Sequence, residues 1–234
     1  GNIALLLARF HDECNKKNFT PYIDSSLMED GRRDYIKINI DATDEDLDVL
    51  HPDLFINNFT HQIYCNTMSQ IITPTDDMAD LIKQHVDLIK DVKCALHIRR
   101  GACQKDSSNM GCHSGKPAYF ATDTALSRFK DVIRQTDGSV FVASDSRELK
   151  EELIREFGEK VRYLDTDISL SYTCAYHPVE TDEVARRNCY LEWFLLSMCP
   201  VVYITAGNKD GTDLSTYGYS AATYGQKPVM MVFN

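Results

Sequence analysis

Short apolar runs alternate with longer amphipathic runs from about residue 92 onward, and this alternation most constrains how the chain can fold. The short runs are rich in β-branched residues and have the length of buried strands, whereas the longer runs place apolar residues at helical spacing. Strands that alternate with crossover helices form parallel sheets. The pattern therefore predicts an α/β fold with a doubly wound, Rossmann-like parallel sheet.

The pattern divides the chain near residue 90. Residues 91–234 are predicted to form the Rossmann-like domain, and residues 1–90 a reduced amino-terminal α/β lobe. In the larger part, the predicted strands are 92–98, Val140–Ser144, 161–164, 201–205 and Val229–Phe233, and the predicted helices are 118–135, Arg147–Phe157, 180–198 and 214–224. In the smaller part, the predictions are a helix at 3–16, strands at 21–24 and 35–40, and a helix at 76–90 that joins the lobes.

The charge and cysteine patterns exclude some classes of partner. A formal net charge of −10 disfavours nucleic acid, whose binding depends on clustered cations. No apolar run approaches the roughly 20 residues of a membrane span. The 8 cysteines include no C-x-x-C pair, so the sequence predicts no metal centre. Sequons at Asn18 and Asn58 leave the compartment open between the cytoplasm, which we favour, and the secretory lumen.

The first strand of the larger domain ends in a charged run, His97-Ile98-Arg99-Arg100-Gly101. Ligands of open α/β sheets bind beyond the carboxyl ends of the strands, so we expect this run to line a site. A guanidinium forms paired hydrogen bonds with phosphate and stays protonated at any working pH. The arginine pair therefore predicts an anion such as a diphosphate, and a solvated or salt-bridged arginine pair is the alternative.

A polar turn also follows the second strand. Asp145 lies at the carboxyl end of this strand, where an acidic residue can accept hydrogen bonds from a nucleoside. The alternative is structural, because Ser144, Asp145 or Ser146 can cap the helix that begins near Arg147.

The fourth strand leads through a polar loop into a helix that begins near Ser215, Thr216 and Tyr217. The N–H groups and the positive dipole end of a helix start attract phosphate, and hydroxyl groups add donors. This start is therefore a second candidate for the same anion. Capping of the helix by Ser215 alone is the alternative.

These segments, in this order, resemble the GT-B glycosyltransferase superfamily of fucosyltransferases that share a His-x-Arg-Arg-Gly-Asp motif, including its α-1,2, α-1,6 and protein O-fucosyl branches. Residues 95–101 resemble the first motif, residues 140–146 the second and residues 215–221 the third. Residues 192–199 resemble the helix before the fourth strand, and Gly1-Asn2 resembles the end of a G-x-G-N loop.

The resemblance implies a GT-B-like protein in which residues 91–234 bind a nucleotide sugar and residues 1–90 form the acceptor side. It implies inverting, metal-independent transfer of a 6-deoxyhexose, L-fucose from GDP-fucose, to a hydroxyl of a glycan or glycoconjugate without a cofactor. Arg99 and Arg100 would be the catalytic residues, with Arg99 on the β-phosphate and Arg100 in support. The donor-binding residues that it implies are His97, Arg99, Arg100, Asp145, Ser215, Thr216, Tyr217 and Asn2.

The sequence departs from the pattern of this superfamily, and these departures leave alternative functions open. Ala102 stands where the motif ends in aspartate, so the general base is unassigned; the candidates by position are Asp12, Asp24, Asp106 and His113. The short amino-terminal half suggests either a trimmed lobe or a part of a larger, multidomain protein. An L-rhamnosyltransferase that uses UDP- or GDP-rhamnose, and a catalytically inactive nucleotide- or carbohydrate-binding module, are the alternative functions. Asp165-Thr166-Asp167 resembles a metal-binding D-x-D triplet of another glycosyltransferase class.

Overall fold

The computed structural model describes residues 68–69, 72–100, 120–165, 183–207 and 214–234, together with the backbone of Ile36–Ile38. Its strands are β1 (Ile36–Ile38), β2 (Ile72–Pro74), β3 (Cys94–Ile98), β4 (Val140–Ser144), β5 (Val161–Arg162), β6 (Val202–Ala206) and β7 (Val229–Phe233). Its α-helices are α1 (Asp76–His85), α2 (Asp123–Gln135), α3 (Arg147–Phe157), α4 (Glu183–Met198) and α5 (Thr216–Tyr224).

Five parallel strands form the main sheet in the order β5-β4-β3-β6-β7. From β3 the chain runs outward through β4 to β5, and it then returns to the other side of β3 to add β6 and β7. The strand order therefore reverses between β3 and β6, which makes the gap between their carboxyl ends the topological switch point. The predicted α/β class and doubly wound parallel sheet are confirmed.

Each face of the sheet carries its own layer of helices. Alternate residues of a strand point to opposite faces, and Ala95 and Leu96 of β3 accordingly belong to different hydrophobic clusters. The first cluster joins β3, β4 and β6 to α4 and α5, and it also includes the buried Met78 of α1. The second cluster packs α2 and α3 on the other face. The sheet is thus buried on both sides, as its continuous apolar strands require.

Side-chain caps fix where several helices begin. Thr75, Thr122 and Ser146 occupy the N-cap positions of α1, α2 and α3, and each accepts a hydrogen bond from a backbone N–H in the first turn of its helix. α3 ends at Gly158, whose φ of 60° lies in the left-handed region that glycine adopts without strain. The N-cap residue of α5 is Ser215, whose side chain makes no such bond.

The predicted ends of several elements are wrong by a few residues. β3 begins at Cys94 rather than at residue 92, and β5 covers only Val161–Arg162 because β4 pairs with it only at these residues. The predicted helix at 76–90 is α-helical to His85 and then tightens into a 3-10 turn at Val86–Leu88. The predicted helix at 3–16 and strand at 21–24 lie outside the described residues, and the domain boundary near residue 90 stays a prediction.

β1 and β2 form a separate antiparallel pair in which Ile36 faces Pro74. Ile72 of β2 is buried in the same cluster as α4 and α5, so the segment before β3 packs directly on the main sheet. The amino-terminal part that the structure describes is therefore continuous with the core of the larger domain.

Candidate functional site

Thr205 joins the carboxyl ends of β3 and β6 at the switch point. Its hydroxyl donates a hydrogen bond to the His97 carbonyl over 3.3 Å and accepts one from the Arg99 backbone N–H over 3.2 Å. Its own carbonyl accepts a hydrogen bond from the Ser215 backbone N–H over 2.9 Å. A single buried threonine therefore holds the start of the arginine pair and the start of α5 in one arrangement, although 106 positions separate Arg99 from Thr205 in sequence.

His97 fills the space between these two chain segments. Its side chain is buried, and Nδ1 lies 3.0 Å from the Ser215 hydroxyl. The ring of Tyr217 lies 5.0 Å from the imidazole, centroid to centroid. Gly218 is also close to the imidazole: an added Cβ there would lie 2.8 Å from the His97 ring nitrogen and equally close to Ile204. Only glycine allows α5 to approach β3 this closely.

Burial is the main cause that lowers the pKa of His97 to about 3, and the positive charges of Arg99 and Lys150 contribute to this decrease. The imidazole is therefore neutral at physiological pH and acts as a hydrogen-bonding group. The effect of Arg99 also shows that its charge lies within electrostatic range of the imidazole that contacts Ser215. The site thus combines a fixed cation with a neutral ring beside a helix start.

The two arginine side chains have different surroundings. The guanidinium carbon of Arg99 lies 5.4 Å from the centroid of the Phe120 ring. The Arg100 guanidinium donates to the Ala121 carbonyl over 2.8 Å and forms an ion pair with Asp123 over 2.7 Å. Arg100 therefore links the end of β3 to the first turn of α2. For this arginine the ion pair corresponds to the salt-bridged alternative of the sequence analysis. For Arg99 the contact with Phe120 leaves the guanidinium plane supported by an aromatic ring.

The turn after β4 is tied to the turn after β3. Asp145 accepts a hydrogen bond from the Arg100 backbone N–H over 2.7 Å, and the Ser144 hydroxyl donates to the Ile98 carbonyl over 2.7 Å. Ser146, rather than Ser144 or Asp145, supplies the side-chain cap of α3 through the Leu149 N–H over 3.2 Å. The capping alternative therefore accounts for Ser146, whereas Asp145 is held beside the arginine pair.

At the start of α5 the hydroxyl groups do not all face the same way. The Ser215 side chain is fully buried and contacts His97. Thr216 is the first residue of α5, and the Tyr217 hydroxyl donates to the Cys189 carbonyl of α4. Ser215 thus helps to hold α5 against β3, and a donor contact for Ser215, Thr216 or Tyr217 stays a prediction.

The structure brings together most of the residues that the sequence singles out. His97, Arg99, Arg100, Asp145 and Ser215 are linked through hydrogen bonds at the carboxyl edge of β3, β4 and β6. The predicted Asn2, the departure at Ala102 and the candidate bases Asp12, Asp24, Asp106 and His113 lie outside the described residues. The roles of all these residues in binding or catalysis stay predictions.

The sequence analysis missed Thr205, Gly218 and the buried ion pair between Lys150 and Glu192. A hydroxyl at the end of an apolar strand and a glycine in the first turn of a helix were the available signals for the first two. The ion pair had no sequence signal, because its partners are 42 positions apart on different helices.

Two further features of the described residues bear on the expectations from sequence. Within the described part of the chain, no three His, Cys, Asp or Glu side chains come together where a metal ion could bind. None of its helices is both long and apolar enough to cross a membrane. Metal independence stays a prediction.

Neither a known protein family nor a curated protein matches the sequence. Among solved structures, the chain is similar to NodZ α-1,6-fucosyltransferase soaked with GDP-fucose, at 12% identity and a TM-score of 0.41, over 71% of this chain and 47% of that one. It is also similar to apo POFUT1, at 11% identity and a TM-score of 0.44, over 73% of this chain and 49% of that one.

POFUT1 in complex with GDP is similar at 12% identity and a TM-score of 0.43, over 74% of this chain and 51% of that one. The chain spans about half the length of these solved structures. The similarity concerns the course of the backbone.

Proposed function

We propose that the switch point between β3 and β6 is the donor site of a glycosyltransferase that uses a nucleoside diphosphate sugar. The observation that carries this proposal is the hydrogen-bonded link from Arg99 through Thr205 to Ser215. It holds the backbone of Arg99 and the start of α5 at the same crevice of an open α/β sheet, where such folds bind their ligands. A diphosphate is the ligand that suits both partners.

The chemistry follows from the charge that such a reaction produces. When the bond between the sugar and the diphosphate breaks, negative charge grows on the leaving oxygen. Arg99 and the N–H groups at the start of α5 would stabilise this charge, and they need no reorganisation because the fold already fixes them. An acceptor hydroxyl that attacks from the opposite side of the anomeric carbon would invert its configuration. A fixed guanidinium can supply the positive charge without a metal ion.

The two sides of the site suit the two parts of the donor. Asp145, after β4, and His97 would contact the nucleoside, and Arg99 and the start of α5 would hold the diphosphate. By the motif resemblance the donor is GDP-fucose and the transferred group is L-fucose, which goes to a glycan or glycoconjugate hydroxyl. Residues 1–90, including Asn2, would supply the acceptor side.

A comparison of Arg99→Ala with wild type tests this proposal on the full chain. We expect the variant to lose roughly tenfold or more of its affinity for GDP in calorimetry, because a charge-assisted bond to phosphate contributes about 1.5 kcal/mol or more. Transfer of fucose from GDP-fucose to a panel of glycans should fall at least as much. Arg162→Ala, at the opposite edge of the sheet, is the matched control.

Three other results of this experiment would overturn or change the proposed function. Equal GDP affinity and transfer in wild type and Arg99→Ala would overturn the donor site. Binding of GDP with no transfer to any acceptor would instead identify a catalytically inactive nucleotide-binding module. A preference for UDP over GDP, with transfer from UDP-rhamnose, would replace fucose by rhamnose as the transferred sugar.

A further inference from the structure

A buried ion pair lies next to the candidate site but has no role in the chemistry proposed so far. Lys150 Nζ and Glu192 Oε1 are 2.8 Å apart, and their side chains are only 1% and 4% exposed. Lys150 belongs to α3, which packs on one face of the sheet, and Glu192 belongs to α4, which packs on the other. Since Tyr163, which follows β5, lies 5.8 Å from Lys150 Nζ, the pair crosses between the layers beyond the carboxyl ends of the strands.

Stability alone is a weak reason for such a pair. Two charges that leave water lose hydration energy that their attraction often only just repays, and well-packed apolar residues commonly stabilise a core as much or more. The other charged pairs of α3, such as Lys130 with Glu152 and Glu156, lie in more exposed surroundings. Lys150 and Glu192 therefore differ from their neighbours in burial and in their position beside the site.

The residue that follows Glu192 makes the second contact that matters. Trp193 donates a buried hydrogen bond from Nε1 to the Ser220 hydroxyl of α5 over 2.9 Å. Consecutive residues of α4 thus bind the two helices that frame the site. Glu192 holds α3, whose first turn follows Asp145, and Trp193 holds α5, whose first turn follows Ser215. α4 sets the distance between the turn that carries Asp145 and the helix start that faces the diphosphate.

We propose that Lys150 and Glu192 form a positioning pair, which fixes Asp145 relative to α5 and so sets the spacing between the nucleoside and diphosphate halves of the donor. This inference rests on the proposed function. Neither residue touches the donor. The pair acts through α3, which Ser146 caps, and through α4. Its loss should therefore misplace the nucleoside contact of Asp145 and leave the diphosphate contacts in place.

The electrostatic interactions of Lys150 and Glu192 agree with a position of the pair near Asp145 and His97. The charge of Asp145 helps to raise the pKa of Glu192, whose burial is the main cause of the increase. Lys150 opposes that increase and also lowers the pKa of His97. The pair is therefore within electrostatic range of both predicted nucleoside contacts, Asp145 and His97.

The test measures the two halves of the donor separately. Wild type, Lys150→Met, Glu192→Leu and the double variant are titrated by calorimetry with inorganic pyrophosphate and with GDP, or with UDP if wild type binds it more tightly. We expect roughly tenfold or more loss of nucleoside diphosphate affinity in each variant, because a small misplacement of a contact is costly. Pyrophosphate affinity should change less than about twofold in the same variants, because their diphosphate contacts stay in place.

The double variant separates positioning from folding. Each single variant leaves one buried charge without its partner and is expected to lower the free energy of unfolding, whereas two apolar residues should restore much of it. The positioning role is supported if the double variant is as stable as wild type and binds pyrophosphate as tightly, but binds the nucleoside diphosphate more weakly. Lys130→Met is the control, since it breaks the more exposed ion pairs that join Lys130 of α2 to Glu152 and Glu156 of α3.

The outcomes that overturn the inference can be told apart. Equal loss for both ligands, or full nucleoside diphosphate affinity in the double variant, overturns the positioning role and leaves the donor site intact. A wild-type chain that binds neither ligand overturns the proposed function and, with it, the role of the pair. In an active preparation the loss should also appear as a higher KM for the donor, with kcat little changed.

Discussion

Charged residues lie at both the carboxyl and the amino edge of the central sheet, but in different electrostatic surroundings. At the carboxyl edge, Arg99 and Arg100 follow β3 where α2, α3 and α5 begin. At the amino edge, Lys160 and Arg162 border a shallow depression of about 580 Å³. The cations of this depression are bound to backbone carbonyls: Lys160 donates to the Arg134 carbonyl over 3.2 Å, and Arg162 donates to the Lys90 carbonyl over 2.7 Å.

Helix direction explains this difference. In a parallel α/β sheet the helices begin at the carboxyl edge and end at the amino edge, so their dipoles make the first edge positive and the second negative. Lys160 therefore meets the last turn of α2, where a cation is favourable. Arg99 and Arg100 meet helix starts, where a cation needs an anion beside it. Asp123 supplies that anion for Arg100, and the proposed donor site would bring its diphosphate to the same edge of the sheet.

The largest expected difference between the edges is a loss of stability in acid. His97 has a pKa of about 3 in the folded protein and about 6.5 when unfolded. Its contribution is complete above pH 6.5 and is lost as the pH falls toward 3, because the unfolded chain then binds the proton more readily. The expected slope is up to about 1.4 kcal/mol per pH unit, or roughly 3 kcal/mol between pH 7 and 4.

Urea unfolding at several pH values measures this slope, with His97→Asn as the variant that lacks the titrating group. Glu192 contributes the opposite slope, because burial raises its pKa and its effect is lost as the pH rises. That contribution is common to both proteins and cancels in their difference. If the two slopes are equal, His97 is not the group that titrates.

Glycine replacements give the next largest effect and compare the edges directly. In Gly218→Ala the new Cβ would lie 2.8 Å from His97 and Ile204 side-chain atoms, an overpacking that should cost about 1–3 kcal/mol of unfolding free energy. In Gly138→Ala, at the amino edge, the cost is a strained φ of 122°, worth about 1–3 kcal/mol.

The two variants should therefore lose similar stability but differ in ligand binding. Gly218→Ala pushes α5 away from His97 and should weaken GDP binding by roughly tenfold. Gly138→Ala should bind GDP as wild type does. Urea denaturation and GDP titration of both proteins check this. Similar GDP affinities in the two variants would remove the functional distinction between the edges.

The sequence predicted the sheet well because each strand is a local apolar run with a local partner helix. It also placed the arginine pair and the start of α5 at strand ends, which follows from the alternation alone. The strand order was not accessible in this way, because no local pattern states that β6 lies beside β3. The contact between His97 and Ser215 was missed for the same reason, since the residues are 118 positions apart.

The smallest expected effect concerns the amino edge itself. Lys160→Gln and Arg162→Gln remove cations that donate to backbone carbonyls at an exposed surface. Each should lower the free energy of unfolding by about 1 kcal/mol or less, because exposed charged contacts contribute little. Neither should change GDP affinity, because the helix ends at this edge repel an anion. A drop in GDP affinity in either variant would mean that GDP binds at the depression of the amino edge and not at the carboxyl edge.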